Sequence, residues 1–231
     1  FLSSVFKFSF FILLISIGYK YYKTYSADKL VEEIAKWADE NRIKIDKSTM
    51  KMAEFSVAYD ENEWKSLVGK LESTRYFQML NEKQARRFEY GFDPEYAREL
   101  VDYWRTKFDW KKQINFINKY KQFKIAMNGT NIHFVREIIQ PDNFKGDVIK
   151  LVLMDGWPGS FFGFYALLDH LNEMKNKNNV ALDIIVPSIP GYGYSTPLDR
   201  PVDTADTAQL FDALMRYLHG EDVKYFVHGE V

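Results

Sequence analysis

Residues 149–171 read IKLVLMDGWPGSFFGFYALLDHL. The apolar run from Ile149 to Met154 has the length and composition of a buried strand, and Phe161 to Leu171 is helical in pattern. Between them, Asp155-Gly156-Trp157-Pro158-Gly159-Ser160 carries the glycines and proline of a turn. Strand, turn and helix in that order form the unit from which parallel sheets are built. Downstream, Leu182 to Val186 is a second strand ended by Pro187, Thr204 to Leu218 a helix capped by Asp203, and Tyr225-Phe226-Val227 a last strand. Upstream, Phe123 to Met127 and Ile132 to Val135 alternate like strands, with the hairpin signal Asn128-Gly129 between them. A hairpin followed by strand–helix–strand–helix–strand predicts an α/β fold with a parallel, doubly wound sheet. Ligands in such sheets sit at the carboxyl ends of strands, where two Gly/Pro-rich loops fall, 155–160 and 187–197.

The first half of the chain reads differently. Leu30, Ile34, Trp37 and Ala38 recur at helical spacing between Lys29 and Asn41. Asp60 with Glu63 is a capping box opening a helix through Leu71, and Asp93-Pro94-Glu95 starts another that carries Tyr96, Leu100, Tyr103 and Trp104. Residues 28–120 are therefore expected to be mostly helical and rich in aromatics. Before them, Phe8 to Tyr19 is an apolar run flanked by Lys7, Lys20 and Lys23. At 1.5 Å per residue the run reaches about 18 Å, and counted from Phe1 it approaches the roughly 30 Å of a bilayer core. Three readings fit it: an uncleaved membrane anchor, a signal peptide with Ser16-Ile17-Gly18 as its site, and a buried helix. The tyrosines and lysines of Gly18 to Lys23 favour the anchor, with the lysines cytosolic.

Composition narrows the chemistry. Of 231 residues 46% are hydrophobic, enough for a sizeable core, and 31 basic residues nearly balance 32 acidic ones. No strong field points to nucleic acid. The absence of cysteine removes thiol nucleophiles, disulfides and Cys-ligated metals. The four histidines show no metal-binding spacing. Metal-independent chemistry or a binding role is left, and no cofactor is expected.

The 155–160 loop leaves a strand and enters a helix, so amides near the helix start can face a developing negative charge, as in an oxyanion hole; an ordinary turn is the competing reading. The second loop, Pro190 to Pro197, can carry positive-φ backbone at Gly191 and Gly193 but lacks the spacing of a dinucleotide or phosphate fingerprint. Ser195, in Gly-Tyr-Ser-Thr-Pro, misses the nucleophile-elbow pattern. Ser160 reads as a helix N-cap, His133 as a half-buried strand residue, and His170 and His219 as helix-end residues.

These stretches together resemble the microsomal epoxide hydrolase family, which includes the juvenile hormone epoxide hydrolases. The resemblance runs from about Glu63 to Val227. It rests on Tyr103-Trp104-Arg105 leading into Phe108 to Gln113, on Ile132-His133-Phe134, on Gly156 to Phe161, and on Pro187 to Ser195. It implies an α/β-hydrolase fold in which 1–22 is a membrane anchor and 28–145 an N-terminal domain wrapping the sheet. Residues 146–231 would be the first part of the hydrolase domain. It also implies an enzyme on the endoplasmic reticulum membrane, facing the cytosol, that turns lipophilic epoxides and water into diols through a hydroxyalkyl-enzyme ester. Trp157 would supply an oxyanion-hole amide, Gly156 and Pro158 would shape it, and the 191–195 loop would support the floor of the site.

Two positions depart from the family pattern. Asp155 stands where the family has His, and a carboxylate there opposes an oxyanion. Val231 stands where the carboxylate nucleophile belongs, after Val227-His228-Gly229-Glu230; Glu230 would point to the other face of the strand. The expectation is a chain truncated at the nucleophile elbow and inactive as it stands. A membrane-tethered binding module of the same family is the alternative, with a serine esterase third.

Overall fold

The computed structural model describes residues 27–34, 36–77, 88, 89 and 91–230; the expected anchor at 1–22 and Val231 lie outside them. No helix among the described residues is long and apolar enough to cross a membrane. Two compact units emerge, one from the described residues of Phe1–Lys51 with Ala126–Ile132 and Ile189–Tyr225, the other from Met52–Ile125, His133–Ser188 and the described residues of Phe226–Val231.

The second unit holds most of the sheet. Strands β1 (Met52–Phe55), β2 (Gln122–Met127), β3 (Thr130–Ile139), β4 (Val148–Met154), β5 (Ala181–Pro187) and β6 (Phe226–Gly229) lie in the order β1-β2-β3-β5-β4-β6. The sheet is mixed, which corrects the all-parallel expectation. β5, β4 and β6 are parallel, with Leu151 opposite both Ile184 and Phe226. β3 joins β5 antiparallel, Phe134 opposite Pro187, and β1 joins β2 antiparallel. The expected hairpin extends the same sheet. Its turn residues Asn128 and Gly129 have φ of 45° and 80°, as a two-residue hairpin turn requires.

The core follows the apolar pattern. Ile125, Phe134, Ile184, Ile185 and Leu168 are fully buried. Asp183 is also buried, and Arg136 on the neighbouring strand meets its carboxylate with two hydrogen bonds of 3.0 and 2.6 Å. A carboxylate taken out of water needs such a partner. Helices α2 (Glu61–Glu72), α3 (Pro94–Lys107) and α4 (Trp110–Ile117) start at Asp60, Asp93 and Asp109, whose side chains accept first-turn amides. At Asp60 that half of the expected capping box forms, and among the described residues the Glu63 carboxylate accepts no bond from the Asp60 amide in return. β1 and α4 are elements the periodicity missed. The segment expected as one helix from Phe161 is a 3-10 turn, Phe161–Phe164, running into α5 (Tyr165–Glu173).

In the first unit, residues 27–34 and 36–40 are helical (α1), with Leu30, Ile34 and Trp37 exposed. Helix α6 (Thr204–His219) has the full capping box, Asp203 accepting the Asp206 amide while Asp206 accepts the Asp203 amide. Arg216 of α6 is buried and donates to Asp212, Glu221 and the Ile43 carbonyl. A single guanidinium thereby ties the 41–50 segment to the helix.

Candidate active site

The candidate site is built where β4 gives out. Met154 lies opposite Gly229 of β6, and the Glu230 amide still donates to the Met154 carbonyl at 3.0 Å. Past that point the chain turns. The Gly159 amide donates to Gly156 O at 2.7 Å and the Gly163 amide to Ser160 O at 2.8 Å, which closes the loop and starts the helix. The Trp157–Pro158 peptide is cis. Trp157 is 81% exposed, and its amide has no hydrogen-bond partner among the described residues. Of the two amides, that of Gly159 is spent within the turn and that of Trp157 is available to a ligand.

Asp155 sits against this loop. A Cβ at Gly163 would stand 2.7 Å from Asp155 Oδ2, and one at Gly159 would overlap the same carboxylate. Glycine at both positions is what lets the half-buried carboxylate fold back toward the helix start, where the backbone dipole favours a negative charge.

The other singled-out residues fall as follows. Gly156 is half-buried and Pro158 exposed. Ser160 occupies the N-cap position but makes no side-chain cap bond, so its expected capping role is not performed. Gly191 and Gly193 do adopt positive φ, 83° and 54°. Ser195 is buried and its amide donates to Tyr192 O, a turn role rather than an exposed nucleophile's. In the same unit Thr196 is tied to the hairpin through Thr130 Oγ1 (2.7 Å to Thr196 O) and Asn131.

His133 is more deeply placed than half-buried: it is 0% exposed. Its Nδ1 lies 2.8 Å from Ser188 Oγ and its Nε2 2.9 Å from Gln122 Oε1. Burial, with the Lys124 ammonium adding to it, holds the imidazole pKa down at about 3, so the ring is neutral. Sequence reading found neither Gln122 nor Ser188; the one signal available was that both sit at strand ends. No group of three His, Cys, Asp or Glu that could hold a metal occurs among the described residues.

A strand–turn–helix whose loop leaves a free amide at the carboxyl end of three parallel strands is an α/β ligand-binding arrangement, and the solved structures the backbone matches make the fold that of an α/β hydrolase. Within that class the comparisons are specific. Residues 52–164 match the family described as the epoxide hydrolase N terminus. The chain is 37% identical over 144 residues to juvenile hormone epoxide hydrolase 1 of Ctenocephalides felis, covering 62% of this chain and 30% of that protein. It is 36% identical over 148 residues to epoxide hydrolase 1 of Oryctolagus cuniculus, covering 62% and 32%. Its backbone matches the crystal structure of juvenile hormone epoxide hydrolase from the silkworm Bombyx mori with a TM-score of 0.68 at 34% identity, over 78% of this chain and 42% of that one. The Aspergillus niger epoxide hydrolase structure gives 0.65 at 26% identity, over 78% and 46%. The relatives and solved structures this chain resembles are thus epoxide hydrolases, microsomal and juvenile hormone enzymes among them. The chain spans about a third of the length of the two curated relatives.

Proposed function

We propose that this chain supplies the N-terminal portion of an enzyme that opens lipophilic epoxides to diols, with Trp157 giving an oxyanion-hole amide and Gly156 and Pro158 shaping the loop. The reaction has two steps. A carboxylate oxygen attacks an epoxide carbon, the ring C–O bond breaks and the ring oxygen takes a proton. Water then adds to the resulting ester carbonyl, and the acyl–oxygen bond breaks to free the diol. The second step passes through a tetrahedral oxyanion, which a preorganised amide stabilises, by roughly 3 kcal/mol once the complete site excludes water. The observation that carries this reading is the unengaged Trp157 amide at the end of β4 in a chain whose residues 52–164 match the epoxide hydrolase N terminus.

On the same reading, 28–145 acts as the N-terminal domain and adds β1, β2 and β3 to the sheet, 146–231 contributes its parallel strands β4, β5 and β6, and 1–22 holds the protein on the cytosolic face of the endoplasmic reticulum. The test uses the product of the full transcript that encodes this chain, given a lipophilic aromatic epoxide in 18O-water under single-turnover conditions. The first diol is expected to be unlabelled, with the label entering a protein carboxylate; a labelled first diol contradicts the ester route. A saturable epoxide complex with no diol favours the second reading, a binding module, for which the Asp155 carboxylate against the loop speaks. A glycan in cells on exposed Asn128, of the sequon Asn128-Gly129-Thr130, would reverse the proposed topology.

A further inference from the structure

The His133 network has no part in the reaction steps above, yet it touches both strand ends near the site. The ring packs edge-on against Phe55 and Phe161, with centroids 5.3 and 4.8 Å away. Its tautomer is determined. Gln122 Nε2 donates to the Ile117 carbonyl at 2.8 Å, so the Gln122 oxygen is the atom that faces His133 Nε2, which must therefore carry the proton. Nδ1 is then the acceptor for the Ser188 hydroxyl, and the main chain repeats the link, the Ser188 amide donating to His133 O at 2.8 Å. The chain of bonds continues outward: Gln122 to Asn118, and Asn118 to both the amide and the carbonyl of Val57. Phe161 directly follows Ser160 of the candidate loop, and Ser188 directly follows β5.

We propose that His133 is a positioning residue for the anion-binding loop: its neutral Nε2–H imidazole, locked by Gln122 and Ser188, seats Phe161 and so holds the main chain of 155–160 in shape. This rests on the reading of that loop as an oxyanion cradle. A second proton on the ring would turn Nδ1 from acceptor to donor and set two donors against each other until the Ser188 hydroxyl swings away. Among the described residues, Gln122 of β2, Phe55 of β1, Phe161 and Ser188, which pack on the ring, carry no charge, and the Lys124 ammonium of β2 opposes that proton.

The test is side-chain and backbone 15N NMR of the 231-residue chain, which has four histidines. One imidazole is expected to remain an Nε2–H tautomer and not to titrate from pH 8 to 4.5. His133→Phe keeps a ring against Phe55 and Phe161 and deletes both nitrogens. It is expected to shift the Trp157 and Ser160 amides and to speed hydrogen exchange at Gly159 and Gly163 about tenfold, the effect of one lost buried hydrogen bond. Should that variant fail to fold, Ser188→Ala leaves the ring in place and is expected to move the same amides less. Four histidines titrating in the ordinary range, or loop amides indifferent to both variants, would overturn the proposal. An alkylphosphonate titration separates the two ideas: a Trp157 amide that responds to His133 but ignores the anion upholds the positioning role and removes the cradle.

Discussion

His133 shows what one buried ring asks of the protein around it. A histidine in the unfolded chain takes its proton near pH 6.5, the native ring only near about 3. Between those values the unfolded state binds more protons, so this contribution to stability is complete above pH 6.5 and is lost as pH falls through the window, by about 1.4 kcal/mol per unit. Urea unfolding at pH 6.5 and 4.5 is expected to show a steeper loss in the wild type than in His133→Phe; equal slopes would refute the assignment. Asp155 acts through charge instead. A carboxylate about 4 Å from a bound anion costs about 1 kcal/mol in a well-hydrated setting. Asp155→Asn is thus expected to tighten phosphonate binding at the loop roughly fivefold, measured by the same NMR titration. The alternation of β3 marked His133 as a strand residue, but its depth was not legible, because its partners lie 11 and 55 residues away and only the fold brings them in.

Elements were legible where their determinants are local. Asp93 before Pro94 and Asp203 before Thr204 cap their own next turn, so the helix starts could be read from adjacent residues. At α6 the cap is doubled and further held by Arg200, which donates to both Asp206 oxygens and keeps that carboxyl down at about 2. Asp203→Ala is expected to cost about 1 kcal/mol in thermal or chemical unfolding, and Asp203→Ser much less, since serine caps as well. β1 was missed for the opposite reason. Met52–Phe55 has no buried alternation of its own and becomes a strand only by pairing with residues some 70 positions later, Met52 with Ile125. The 3-10 turn before α5 hid in the same way, its side chains Phe161 and Phe164 looking helical while its backbone is set by the glycine-lined seat of Asp155.

At the scale of the whole molecule, what could be read was that strands and helices alternate; what could not was how the hairpin joins them. Sheet order is decided by which edges find partners, and β3 took the free side of β5. The opposite edge of the sheet is β6, with Phe226 68% and Val227 53% exposed. An apolar edge strand of this kind invites pairing with another chain. Val227→Lys is expected to raise the monomer fraction of the 231-residue chain in light scattering at matched concentration, and no change would mean that association runs through another surface. The central claim, that the turn after β4 is an anion cradle, is tested most directly by following the Trp157 amide while an alkylphosphonate is added. The account predicts a saturable downfield shift at Trp157 with Gly159 nearly still, since the Gly159 amide is already bound to Gly156 O. A Trp157 signal that stays fixed while phosphonate binds elsewhere would contradict it.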